Sequence, residues 1–188
     1  NQNYNFLQTR QEYHFIPDNF LKPGKEGIFV GETKEIKEQI QEAFQKTMGE
    51  PFPSHIKISI CDEKQFRKLA PSPATIGLSI NRSQHGMLSE IFVLNNYLGR
   101  VMLTIGHELG HVLTASLDTP QDEEAKAYAF SLAWMEVIKK HNIANLREAI
   151  VLENPARNGL HDVAFDFVME QKKEKEAWEI YLELVGKE

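Results

Sequence analysis

The chain has 188 residues, 41% of them hydrophobic and 26% charged, with a formal net charge of −6. This is the composition of a globular domain with a real core, and it excludes fibrous and disordered classes. No apolar stretch approaches the roughly 20 residues of a membrane span, and the acidic balance without a dense Lys/Arg block disfavours nucleic acid and anionic membrane as partners.

Residues 1–31 lack periodicity and carry Pro17 and Pro23, the pattern of an extended N-terminal arm. Its aromatic residues Tyr4, Phe6, Tyr13, Phe15 and Phe20 call for a surface to pack on. The first residue is Asn1 rather than Met, which leaves a removed leader open. Ile36, Ile40, Ala43 and Phe44 form a helical stripe within 33–48, stopped by Gly49-Glu50-Pro51. Residues 56–61 alternate as a strand does. They include Cys61, the single cysteine of the sequence, which reads as a core residue. One cysteine rules out an intrachain disulfide and suits a reducing compartment, with the cytoplasm as default.

A short helix capped by Asp62 follows to Leu69. Strands are expected over 75–81 and 89–94, joined by a turn at 81–86. The pattern then becomes helical and apolar almost all round from Tyr97 to about Leu117, so this helix is expected to be buried. Helices over 120–140, 142–153, 160–171 and 174–185 complete the chain. The order predicts an α+β domain over 32–140 followed by a helical C-terminal subdomain over 141–188.

The buried helix contains Thr104-Ile105-Gly106-His107-Glu108-Leu109-Gly110-His111. His107 and His111 lie one turn apart on one face, so both imidazoles can reach a single metal ion. Burying two histidines and a carboxylate without partners is costly, which argues against a merely structural role. Glu108 follows His107 about 100° further round the helix. It can stay out of the ligand set yet reach a water on a zinc ion, taking its proton as general base and passing it to the leaving amine. Gly106 and Gly110 each cost about 1 kcal/mol relative to alanine in a helix. Two of them in one buried turn predict close approach by a neighbouring element.

A catalytic zinc needs a third protein ligand. The places where an extended motif would put a further glycine and histidine hold Thr114 and Leu117. In the next helix, Thr119 reads as N-cap and Pro120 as the first helical residue, followed by Asp122, Glu123 and Glu124. Carboxylates favour helix N-termini in any case, so at most one of the three is expected to be a ligand. Glu123 shares a stripe with Ala127, Phe130 and Trp134, and Glu124 shares one with Ala127, Tyr128 and Ser131. The smaller and more polar second stripe suits close approach to a hydrated metal.

With these residues the sequence resembles the gluzincin metallopeptidases, in which a glutamate on the helix after the HExxH helix completes the zinc site. More narrowly, it resembles the compact ImmA/IrrE-like and minimal archaeal gluzincin types, whose second helix often reads ExxA(N/D)xFA. Glu124-Ala125-Lys126-Ala127-Tyr128-Ala129-Phe130-Ser131 matches that pattern, with Tyr128 for the Asn/Asp and Ser131 for the last Ala. The resemblance covers roughly 89–137. It implies a zincin-like fold with a small, mostly antiparallel or mixed sheet, and Zn2+ held by His107, His111 and Glu124. It also implies an endopeptidase acting on peptides or unfolded protein.

In such folds the strand before the HExxH helix lies at a sheet edge and pairs with the substrate. Residues 89–94 are the matching segment, with a plain core strand as the alternative. Tyr128 would steady a zinc-binding histidine through its hydroxyl, serve the oxyanion, or simply fill core. His141 and His161 are further candidates to bond the tetrahedral intermediate, while His14, His55 and His85 read as surface residues. The rival function is a non-catalytic, zinc-stabilised peptide-binding or regulatory module, against which the Glu108 carboxylate argues.

Overall fold

Ile40, Ala43 and Phe44 are buried along α1 (Lys37–Met48), which ends on Gly49 at φ 75°, a left-handed cap that glycine adopts without strain. The computed structural model describes residues 15–152 and 163–186. β2 (Ile56–Cys61) runs into α2 (Glu63–Leu69), where Asp62 and Gln65 form a reciprocal capping box. β3 (Gly77–Ile80) and β4 (Ser89–Leu94) follow. The Arg67 guanidinium donates to the carbonyls of Ala70, Ser72 and Thr75, fixing the link between α2 and β3.

These strands form a mixed sheet in the order β2-β4-β3, with β4 parallel to β2 and antiparallel to β3. Ser89, Ile91 and Val93 of β4 are buried, the period of two expected of a strand with one inward face. The hairpin joining β3 to β4 occupies one side of β4, and β2 takes the other. β4 is therefore the core strand. Of the two readings of 89–94, the core strand stands and the free edge is corrected: the edges of the sheet are β2 and β3, and neither carries a further strand among the described residues.

β1 (Phe29–Val30) pairs antiparallel with β5 (Asn96–Tyr97), which leads directly into α3 (Leu98–Val112). α3 stops short of the expected Leu117 because side chains claim the backbone beyond it. Asn81 Nδ2 donates to the carbonyls of His111 and Thr114, and Lys126 Nζ to those of His111 and Ala115.

α4 (Pro120–His141) starts on Thr119, whose hydroxyl accepts from the Asp122 amide at 3.1 Å. It is the hub of the fold, packed against α1, α3, α5 (Val163–Gln171) and α6 (Ala177–Leu184). The expected helix over 142–153 is not formed in its described part. Asn142, Ala144 and Asn145 take φ of 51°, 54° and 57°, which breaks helical propagation and leaves one 3-10 turn at Ile143–Asn145.

The described part of the N-terminal region wraps onto α3 and α4. Phe15, Phe20, Leu21 and Val30 are buried, Leu21 bridges to Ile150, and Arg100 grips both oxygens of Asp18 at 2.7 and 3.2 Å. Tyr4, Phe6 and Tyr13 lie outside the described residues. The architecture is α+β, and among the described residues no helix is long and apolar enough to cross a membrane.

Candidate metal centre

Close contact of α3 with α4 builds the centre. A Cβ on Gly106 would stand 2.4 Å from the Trp134 ring, and one on Gly110 would stand 2.7 Å from Ala127 Cα. Glycine is required at both places, as the paired glycines of the motif predict. The Trp134 indole N–H donates to the Met102 carbonyl at 3.0 Å and fixes the crossing. Glu124 is thereby set opposite the two histidines.

Glu124 Oε1 lies 2.9 Å from His107 Nε2, and Glu124 Oε2 lies 3.3 Å from His111 Nε2. The three ligand atoms these residues offer fall within 4.8 Å of one another. Ligands of a tetrahedral ion at about 2.0–2.1 Å stand about 3.3 Å apart, so these three residues could hold a metal ion. The short approach of Glu124 to His107 does not have hydrogen-bond geometry, since His107 Nε2 and Glu124 Oε2 are buried without a hydrogen-bond partner. Orphaned polar atoms are rare and costly inside a protein, and a cation between them would satisfy both.

The outer ring nitrogens are engaged elsewhere. His111 Nδ1 lies 2.6 Å from Glu123 Oε2. A carboxylate only accepts, so Nδ1 carries the proton, and in the neutral ring Nε2 is left with a lone pair. His107 Nδ1 is 3.2 Å from Ser131 Oγ. Glu123 Oε1 in turn accepts from the Leu117 amide at 3.0 Å and pairs with Lys126 Nζ at 2.7 Å. The two adjacent glutamates thus point to different places: Glu124 to both Nε2 atoms, Glu123 to the back of His111.

Burial alone would lower the pKa of His111. The hydrogen bond to Glu123 and the neighbouring carboxylates of Glu124 and Glu108 instead push it up to about 10. Burial would raise Glu124, but the two histidines hold it well below the usual carboxylate range. Glu123 is likewise lowered: burial is outweighed by His111 and Lys126. The metal-free centre is an ion-pair network around a proton on His111, and a cation entering it must displace that proton.

Glu108 is 6% exposed, and its carboxylate lies beside Gly77 of β3. A Cβ on Gly77 would come within 3.1 Å of Glu108 Oε1 and 2.5 Å of Thr104 Cγ2. Gly77 therefore leaves the carboxylate its room beside the outer edge of the sheet.

Phe15 stacks on the His107 ring, with centroids 4.4 Å apart and planes 10° from parallel. Tyr128 meets the same ring edge-on at 5.0 Å, while the hydrogen bond at His107 Nδ1 is made with Ser131. His141 is exposed at the opposite end of α4 from Glu124 and is withdrawn as an oxyanion donor. His14 and His161 lie outside the described residues, and His55 and His85 are exposed.

Sequence reasoning passed over Lys126, Gly77 and Asn81. Only Lys126 carried a local signal, a lysine between two alanines one turn after Glu123. No protein-family model, curated protein or solved structure matches the chain.

Proposed function

We propose that this protein is a zinc-dependent endopeptidase of the gluzincin type, with His107, His111 and Glu124 holding the ion and Glu108 as general base. The observation that carries the proposal is the convergence of two Nε2 atoms and one carboxylate, both Nδ1 atoms being already engaged. A bound zinc would supply Lewis acidity, polarising the scissile carbonyl and bringing the pKa of a water towards neutrality. Glu108 accepts the proton that water gives up as its oxygen adds to the carbonyl carbon. The same carboxylic acid returns that proton to the amide nitrogen as the C–N bond breaks. The outer edge of β3, beside Glu108, offers main-chain groups to which an extended peptide can add as a strand. Peptides or unfolded protein in a reducing, cytoplasmic setting are the substrates this arrangement suits, since a folded chain could not lie along that edge.

One observation favours the rival function. His107 is 1% and Glu124 3% exposed, and closed sites are typical of structural zinc. Digestion of a denatured protein, with and without chelator, separates the two. Cleavage lost on chelation and restored by zinc is expected, whereas a zinc-loaded protein that leaves the substrate intact supports a zinc-stabilised binding module.

A further inference from the structure

We infer that Lys126 is a positioning residue for this centre: its buried ammonium holds Glu123 behind His111 and so leaves Glu124 to the metal. The inference rests on the metal site proposed above. Lys126 has no exposed surface, and a lysine is almost never fully buried unless paired. Its ammonium lies 2.7 Å from Glu123 Oε1 and also reaches the His111 carbonyl at 3.3 Å, Thr114 Oγ1 at 3.2 Å and the Ala115 carbonyl at 3.3 Å. Three N–H donors are shared among four acceptors.

Closing the end of α3 does not by itself require a cation. Asn81 already donates to the carbonyls of His111 and Thr114, both at 2.8 Å. What Lys126 brings and Asn81 does not is a positive charge against Glu123 Oε1. Two neighbouring carboxylates at one metal would otherwise repel each other and compete for the same ion. With Oε1 fixed by Lys126 and the Leu117 amide, Oε2 of Glu123 is turned onto His111 Nδ1. That bond sets the imidazole plane and aims Nε2 at Glu124. Lys126 thereby assigns different tasks to two acids adjacent in sequence.

Cobalt(II) titration of the full-length chain tests this without any assay of proteolysis, reading both the affinity and the d–d absorption band, with thermal unfolding of the metal-free protein alongside. Lys126→Met is expected to weaken cobalt binding about 10–100-fold, the usual cost of losing an outer partner of a ligand, and to shift the band. Glu123→Gln is expected to do the same: with its oxygen accepting from Lys126 and the Leu117 amide, its NH2 faces His111 Nδ1 and moves the proton of the neutral ring to Nε2, the atom the metal needs. Lys126→Met made on top of Glu123→Gln should add little further loss, since Lys126 acts through Glu123. A Lys126→Met protein that unfolds earlier yet keeps wild-type affinity and spectrum would reduce Lys126 to a helix clasp and overturn the inference. Additive losses in the double variant would overturn it too. If Lys126→Met does not fold, Glu123→Gln decides alone, and wild-type cobalt binding by that variant is the overturning result. A wild-type chain that takes up no cobalt removes the metal site itself, and this inference with it.

Discussion

Gly110 and Ala127 touch where α3 crosses α4: a Cβ on Gly110 would lie 2.7 Å from Ala127 Cα and 2.9 Å from its carbonyl oxygen. The clash is with backbone, which cannot rotate away, so any side chain at position 110 must push the helices apart. His111 follows Gly110 directly, and Glu124 lies one turn before Ala127, so this contact sets the distance across the metal centre.

Gly110→Ala is therefore expected to destabilise the protein by about 1–3 kcal/mol, the usual range for overpacking. The roughly 1 kcal/mol that alanine gains in helix propensity offsets only part of this. Zinc affinity should fall in step. Thermal unfolding with and without zinc checks both effects, and a more stable variant with unchanged zinc binding would contradict the packing argument.

The parts of the molecule legible in the sequence are those written in local pattern. His107 and His111 announce themselves by helical spacing, and Gly106 and Gly110 by being poor helix formers in a buried turn. Asp62 and Thr119 are recognisable as caps from their position before helical runs. The strand at 89–94 was visible, but not its place in the middle of the sheet, because pairing partners are set by the β3–β4 hairpin and by the distant β2. Phe15 over His107 and Asn81 on the end of α3 join residues far apart in sequence, which periodicity cannot connect. The helix expected beyond Asn142 failed because three consecutive turns of favourable composition do not reveal left-handed backbone at Asn142, Ala144 and Asn145.

The two adjacent glutamates should separate on mutation. Glu124→Ala leaves two histidines, and zinc should be lost by equilibrium dialysis together with any hydrolysis. From sequence alone, Glu123→Ala would cost only helix-end stability. Its bond to His111 revises that: zinc is retained but held about 10–100-fold more weakly. Asp122→Ala should cost only the dipole contribution of an acid in the first turn, about 0.3–1 kcal/mol. Retention of zinc by Glu124→Ala with loss in Glu123→Ala would exchange their roles.

The proton on His111 predicts opposite pH behaviour with and without metal. In the metal-free chain its pKa is raised from 6.5 to about 10. Its ion pairs thus stabilise the fold fully below pH 6.5, and that contribution is lost as the pH rises through 10. Glu124, lowered from its ordinary 4.5, contributes above that pH and is lost on acidification. Metal-free protein should therefore be most stable between about pH 4.5 and 6.5, as read by denaturant unfolding across that range. Zinc must expel the His111 proton, so its affinity should rise as the pH rises towards 10. Calorimetry in buffers of different ionisation enthalpy should record the released proton, and binding without proton release would mean that His111 is neutral beforehand.

Glu108 provides the sharpest division between peptidase and binding module. It stands next to His107 in sequence, its carboxylate lies beside Gly77 of β3, and it is not among the three residues whose ligand atoms converge. Glu108→Gln keeps size and polarity but cannot take a proton, so hydrolysis should fall by about 10²–10⁴-fold, the usual contribution of a general base. Zinc content should stay at the wild-type level. Gly77→Ala approaches the same carboxylate from the sheet, bringing a methyl group to 3.1 Å from Oε1 and 2.5 Å from Thr104 Cγ2. It should lower turnover by displacing the base while leaving the zinc ligands untouched. Loss of zinc in Glu108→Gln would make Glu108 a ligand. Undiminished hydrolysis in that variant would remove it from the chemistry, and equal zinc binding with no hydrolysis even in the wild type would leave the chain a binding module.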